Sequence, residues 1–331
     1  TSDQPGGVTI ENELNPLALF QPTITLEIRL NPVDYPEECL QSFSRQVTVF
    51  PDIHPNFTGN LEGCHPHTVN FSNATNAFGG TSAATYQWDF GTGTSSAVDL
   101  NKAFTNTSHV KDSTYIISLT ATSTHGCTKF IDSTVVVHPN PLAVIELGGN
   151  GNNTSCSPFE VEFENVSQGI DLEFEYIFGD GADSTTVSAN DMVHVFSNLT
   201  NQTQLYTTVF TATTEFGCTD QFTQEVYVYP QVIADFSFDP GEELCNPATA
   251  TMVNNSLNGQ NFTWYFDENN SSSSYVVSPT HTFLNNTVND SVFSVTLIAS
   301  SNLGCIDTLV LPLTVFPQPV ANFSINPPKQ T

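Results

Sequence analysis

Basic side chains are scarce in this chain: 6 Lys and Arg stand against 34 Asp and Glu, a formal charge of −28. A surface that negative repels phosphate backbones and anionic headgroups, so neither nucleic acid nor a membrane surface is an expected partner. No apolar run in the 331 residues is long enough to cross a bilayer, and direct membrane insertion is not expected in this segment. Capped helical periodicity is absent too. Charged residues of both signs make up only 12%, which leaves Ser, Thr, Asn and Gln to supply the polar surface, a habit of secreted β-proteins. Seven cysteines are present but no C-x-x-C pair, which argues against zinc or thioredoxin-like chemistry and for disulfides in an oxidising compartment. With no G-x-S-x-G elbow, H-E-x-x-H or Cys-plus-His arrangement either, enzymatic activity is not expected.

What the chain does have is repetition. A cysteine with Pro twelve positions later recurs at Cys39 to Pro51, Cys127 to Pro139, Cys218 to Pro230 and Cys305 to Pro317, a period of one small domain. Complete repeats are expected at 51–138, 139–229 and 230–316, preceded by the second half of a repeat at 1–50 and followed by the start of another at 317–331. A stretch of a longer array is the simplest expectation, in which length and valency matter more than one unique site.

Within each repeat the same signals follow one another. A short strand, such as Asn56-Phe57-Thr58, precedes a Cys-x-Pro step at Cys64-His65-Pro66, Cys156-Ser157-Pro158 or Cys245-Asn246-Pro247. An alternating strand follows (VNFSN at 69–73, VEFEN at 161–165), then an aromatic one: YQWDFGTG at 86–93, FEYIFGDG at 174–181 and FTWYFDEN at 262–269. Period-two alternation means one buried face. Trp88 and Trp264, flat enough to stack on sugars, are therefore read as core. A final hairpin turns at a Gly before the second cysteine. The expected fold class is all-β: tandem immunoglobulin-like antiparallel β-sandwiches arranged end to end.

The order Cys-x-Pro, VxFxN, WDFG(D/T)G, HxF (His194-Val195-Phe196, His281-Thr282-Phe283), YxVxLxA and Gly-Cys resembles the PKD (polycystic kidney disease) domain. More narrowly it resembles the cysteine-containing PKD repeats of giant Bacteroidota surface proteins, among them gliding-motility adhesins and other type IX secretion cargo. The signature departs from the pattern at Thr92, at Ile177 and at Asp267-Glu268-Asn269, while Phe90, Phe178 and Phe266 survive; it marks the fold. The resemblance implies an extracellular, bacterial cell-surface location and a role in adhesion or gliding, with neighbouring repeats and glycan or surface ligands as partners. The alternative is a spacer or accessory binding module of a secreted polysaccharide or protein hydrolase. Proline in the short junctions at 138–141, 229–231 and 316–319 predicts a semi-rigid succession of domains, each about 40 Å long.

No cofactor is expected. Asp180, Asp183, Asp235, Asp267 and Glu268 lie near turns where calcium has an opening, but no D-x-D-x-D-G ladder accompanies them. His65 and His67 are the only close histidine pair, and no other repeat reproduces it. Sequons occur at Asn56, Asn73, Asn106, Asn165, Asn198 and Asn201, and Asp-Ser/Thr acceptor-like tripeptides at Asp112, Asp132, Asp290 and Asp307.

Cys64, Cys127, Cys156, Cys218, Cys245 and Cys305 are all expected in disulfides, under two pairings that remain open. Counting favours bridges within repeats (Cys64 with Cys127, Cys156 with Cys218, Cys245 with Cys305), leaving Cys39 without an upstream partner. Sandwich topology instead puts the first cysteine of a repeat at its far end and the second about 40 Å away, so that Cys64 reaches Cys218 and Cys156 reaches Cys305.

Overall fold

The structure is a computed structural model that describes residues 23–30, 41–48, 50, 52–77, 85–186, 191–269 and 271–324. Every element in these residues is a β-strand. The chain divides into two compact units, Thr1–Pro141 with Gln168–Asp171 and Thr213–Thr219, and Leu142–Ser167 with Leu172–Ala212 and Asp220–Thr331.

Three sandwiches are built to one plan. In the first, a three-stranded sheet runs Leu100–Phe104, His67–Asn73, Phe57–Thr58; a five-stranded sheet runs Glu62–Cys64, Thr128–His138, Ser113–Thr122, Thr85–Asp89, Thr94–Ser95. The second and third repeat both orders, with long final hairpins of Gln204–Thr213 against Thr219–Tyr229 and Ser291–Ser300 against Ile306–Phe316. Ahead of them lies a separate antiparallel pair, Thr23–Leu30 with Gln41–Thr48. Cys39 falls outside the described residues.

Alternation is what sets each core. Val69, Phe71, Trp88, Phe104, Ile117, Leu119, Val135 and Val137 face inward in the first sandwich. Trp88 and Trp264 are fully buried, which places them in the core and removes them as sugar platforms. Each indole donates its Nε1–H to a loop carbonyl, Ala97 at 3.0 Å and Val276 at 2.9 Å, so the one polar atom of the ring is satisfied.

One pairing departs from the antiparallel expectation. The strand Glu62–Cys64 runs parallel to the end of the last strand, with Cys64 opposite His138. Cys156 lies likewise opposite Tyr229, and Cys245 opposite Phe316. This crossing from one sheet to the other carries the first cysteine of every repeat to the residue just before the exit proline.

Candidate functional site: the stapled junctions

Two local devices prepare each repeat for its neighbour. The first is a clasp beneath the Cys-x-Pro step. Asn106, Asn198 and Asn285 follow the inward Phe of the HxF strand (Lys102-Ala103-Phe104 in the first repeat) by two residues and are buried to 3%, 1% and 3% exposure. Each amide Nδ2 donates to two carbonyls: Lys111 and Val137, Gln202 and Val228, Asn289 and Val315, all at 2.8 Å. Each backbone N–H in turn donates to the middle residue of Cys-x-Pro: His65 Nδ1 at 2.9 Å, Ser157 Oγ at 2.7 Å, Asn246 Oδ1 at 2.9 Å. Three different side chains occupy that position, and all three bring an acceptor.

The second device is the tip of the last hairpin. Cys127, Cys218 and Cys305 each donate their backbone N–H to the hydroxyl four residues earlier, on Ser123, Thr214 and Ser301, at 3.1 Å. The glycine before each cysteine sits at φ 82°, 78° and 89°, where a Cβ is strained, which is why the Gly-Cys pair recurs.

The staple joins the two devices. Cys64 is bonded to Cys218 and Cys156 to Cys305, across 154 and 149 residues, with Cα atoms 5.5 Å apart in both. Of the two open pairings, the one between successive repeats is present. The within-repeat alternative is set aside by the same bonds. Cys127 and Cys245, also expected in bridges, are free thiols, the first half-buried and the second exposed. The reason lies in the register, because each bridge takes the first cysteine of one repeat and the second of the following one, leaving these two positions outside both bridges.

Around the Cys64 staple, the His138 ring stacks on Phe216 at the hairpin tip, centroids 3.6 Å apart and ring planes nearly parallel. His138 also bonds Asp112 Oδ1 and Glu62 Oε1, each at 2.9 Å. Burial alone lowers the imidazole pKa, but the two carboxylates outweigh it and the net shift is upward. A crevice of about 490 Å³ opens beside the stack, lined by Val110, Lys111, Pro139, Ile170, Glu215 and Phe216. The Cys156 staple has a different neighbourhood. Tyr229 packs against the third core, and Asn258 donates to Gln231 O at 2.8 Å and Thr200 O at 3.1 Å. Its crevice, about 370 Å³, is lined largely by amides, with Asn201, Gln202, Asn258 and Gln260 among them.

Two residues past the second cysteine, Asp220 and Asp307 accept the backbone N–H of Ala143 at 2.9 Å and Ala234 at 2.8 Å, tying the first segment of each repeat to its last strand. The first repeat carries Lys129 at this position and makes the tie with an ion pair instead: Lys129 pairs with Asp52 on the opposite segment. That hydrogen bond is the main cause holding the Asp52 carboxyl below its usual value.

The remaining candidates have local duties. Asp180 pairs with His194 at 2.7 Å; burial would raise its pKa, but that bond and a backbone N–H turn the net shift downward. Asp267 accepts from the backbone of Asn269, Ser271 and Ser272, closing its loop. Among the described residues, no three His, Cys, Asp or Glu side chains gather as a metal cage. His65 serves the clasp, and His67 bonds Asn60 O at 2.8 Å. Asn106 and Asn198, read as sequons, are interior residues with both amide hydrogens engaged. The signal that gives them away is an Asn two residues after an inward Phe in all three repeats.

No family model matches the chain, and no curated protein matches it. Solved structures similar to it include a fragment of a 1.5-MDa bacterial ice-binding adhesin (10% identity, TM-score 0.29, 82% of this chain and 100% of that one). Similar too are the N-terminal eight Ig domains of Down Syndrome Cell Adhesion Molecule (11%, 0.44, 86% and 39%). A third is a calcium-stabilised adhesin of an Antarctic bacterium (11%, 0.33, 88% and 81%). Likenesses this distant say nothing of activity; the immunoglobulin-like fold rests on the strand order and cores of the chain itself.

Proposed function

We propose that this chain is a segment of an extended, repetitive adhesin or stalk at a bacterial cell surface, whose repeats project or multiply binding sites and catalyse no reaction themselves. The observation that carries the reading is the pair of staples, Cys64–Cys218 and Cys156–Cys305, which bond each repeat to the next in one register. Cross-links of this kind suit an oxidising extracellular setting and a polypeptide whose value is a fixed succession of domains. The resemblance to PKD repeats of Bacteroidota surface proteins supports its finer form: export by type IX secretion and a part in attachment or gliding, with surface glycans among its ligands. The strongly acidic surface agrees with a partner that is neither nucleic acid nor anionic lipid.

The test is made on intact source cells with antibodies against residues 51–316. Surface labelling, together with loss of attachment or gliding when Fab fragments are added, is the expected result. Recovery of the antigen only in a soluble fraction that carries polysaccharide or protein hydrolase activity, on the same polypeptide, would overturn the adhesin in favour of the spacer.

A further inference from the structure

The exit face of the third repeat is built like the two faces that are already stapled. In all three, the first cysteine lies opposite the residue before the exit proline, and the next residue donates its N–H to that residue's carbonyl: His65 to His138, Ser157 to Tyr229, Asn246 to Phe316, at 3.1, 3.1 and 3.0 Å. The clasp beneath is complete in all three. Cys64 and Cys156 receive a cysteine from the hairpin tip of the following repeat, whereas Cys245 is an exposed thiol.

A second, independent feature points the same way. Residues 317–324 (PQPVANFS) align with 230–237 (PQVIADFS). In the earlier copy Ala234 and Phe236 are 6% and 3% exposed inside the third core. Phe323, the counterpart of Phe236, is 82% exposed and Val320 is 90% exposed. A segment with the sequence of a first strand, but paired into no sheet, leaves there in solvent the Phe that its earlier copy buries in a sandwich core.

We propose that the face centred on Cys245 and Phe316 is a docking face for one further repeat of the same kind, whose hairpin-tip cysteine closes a third staple on Cys245. The chemistry is thiol–disulfide exchange with a small disulfide such as oxidised glutathione. One thiolate attacks a glutathione sulfur and expels a reduced glutathione. The other cysteine's thiolate then attacks the mixed disulfide and expels the second. The two protons of the cysteines end on the two glutathione thiols, and the two electrons lost by the cysteines reduce the oxidant.

The experiment extends the full chain by inserting a second copy of residues 230–316 directly after Phe316, with refolding in a glutathione redox buffer. Non-reducing peptide mapping should link Cys245 to the copy's counterpart of Cys305. Iodoacetamide labelling of Cys245 should fall on the order of tenfold relative to the parent chain, while the copy's counterpart of Cys245 becomes the free thiol. Changing the copy's counterpart of Cys305 to Ser should restore labelling of Cys245. The proposal is overturned if Cys245 stays alkylatable while Cys64–Cys218 and Cys156–Cys305 are intact, or if it bonds to any other cysteine. A copy that stays unfolded behind an intact third repeat overturns it equally, since the same sequence already folds behind the second.

Discussion

The second repeat and its two neighbours share both sheet orders but not the same quality of core. Where the first and third carry Trp88 and Trp264 with the indole N–H bonded, the second carries Tyr176, fully buried with its hydroxyl unpartnered. Burial pushes that phenol's pKa up to about 12. On the neighbouring strand of the same sheet, Ile117 and Val295 correspond to Thr208, whose buried Oγ1 also has no partner. Each such group costs about 1–3 kcal/mol relative to an apolar or bonded one. Yet the second repeat is the one that holds a cysteine in both staples, Cys218 and Cys156. The comparison teaches that one strand order holds together around a core that carries two unpartnered buried hydroxyls.

Breaking both staples by reduction should therefore separate the repeats most. We expect the second to unfold first, with a loss of about 2–5 kcal/mol per bridge, read by hydrogen exchange across 159–228 against 248–315. Next in size is the clasp. Asn198→Ala strands the buried Val228 carbonyl and the part-buried Gln202 carbonyl and should cost about 2–4 kcal/mol; Asn106→Ala and Asn285→Ala should lose as much locally but melt later, because their cores hold better. Urea denaturation of the three variants ranks them, and equal midpoints would contradict the ordering. In the opposite direction, Thr208→Val should stabilise the second repeat by about 1–2 kcal/mol, narrowing the gap, and a neutral or destabilising result would mean that Thr208 is not the defect.

The smallest effect concerns pH. His138 has a folded pKa above its ordinary 6.5, so its contribution is complete below 6.5 and is lost as pH rises through the raised value. The unit containing it should weaken between mildly acidic and mildly alkaline solution. His138→Phe, the residue found at 316, should flatten that dependence, and an unchanged pH profile in the variant would remove His138 as its source.

Alternation made the sandwiches legible, because Tyr86, Trp88 and Phe90 declare a buried face within five residues of sequence. Cysteine pairing was legible only as two alternatives. Its deciding element, three residues running parallel to a strand some seventy positions later, leaves no local pattern in the chain. The clasp was hidden for another reason: Asn106-Thr107-Ser108 and Asn198-Leu199-Thr200 satisfy a surface glycosylation pattern, and only burial distinguishes a capping Asn from an acceptor. Lys129 with Asp52, an ion pair where the other repeats bond a carboxylate to a backbone N–H, shows how a change of partner escapes any reading of one position at a time.

The two disulfide loops, 64–218 and 156–305, are interleaved, sharing residues 156–218. A covalent route from Cys64 to Cys305 crosses to Cys218, returns along the shared stretch to Cys156 and crosses again. Even with every sandwich unravelled, those two points are separated by at most the ~60 residues of that stretch, roughly 200 Å, where the bare contour would reach roughly 800 Å. A single proteolytic nick anywhere between Cys64 and Cys305 likewise leaves one connected molecule, because each peptide bond in that interval is bypassed by at least one bridge.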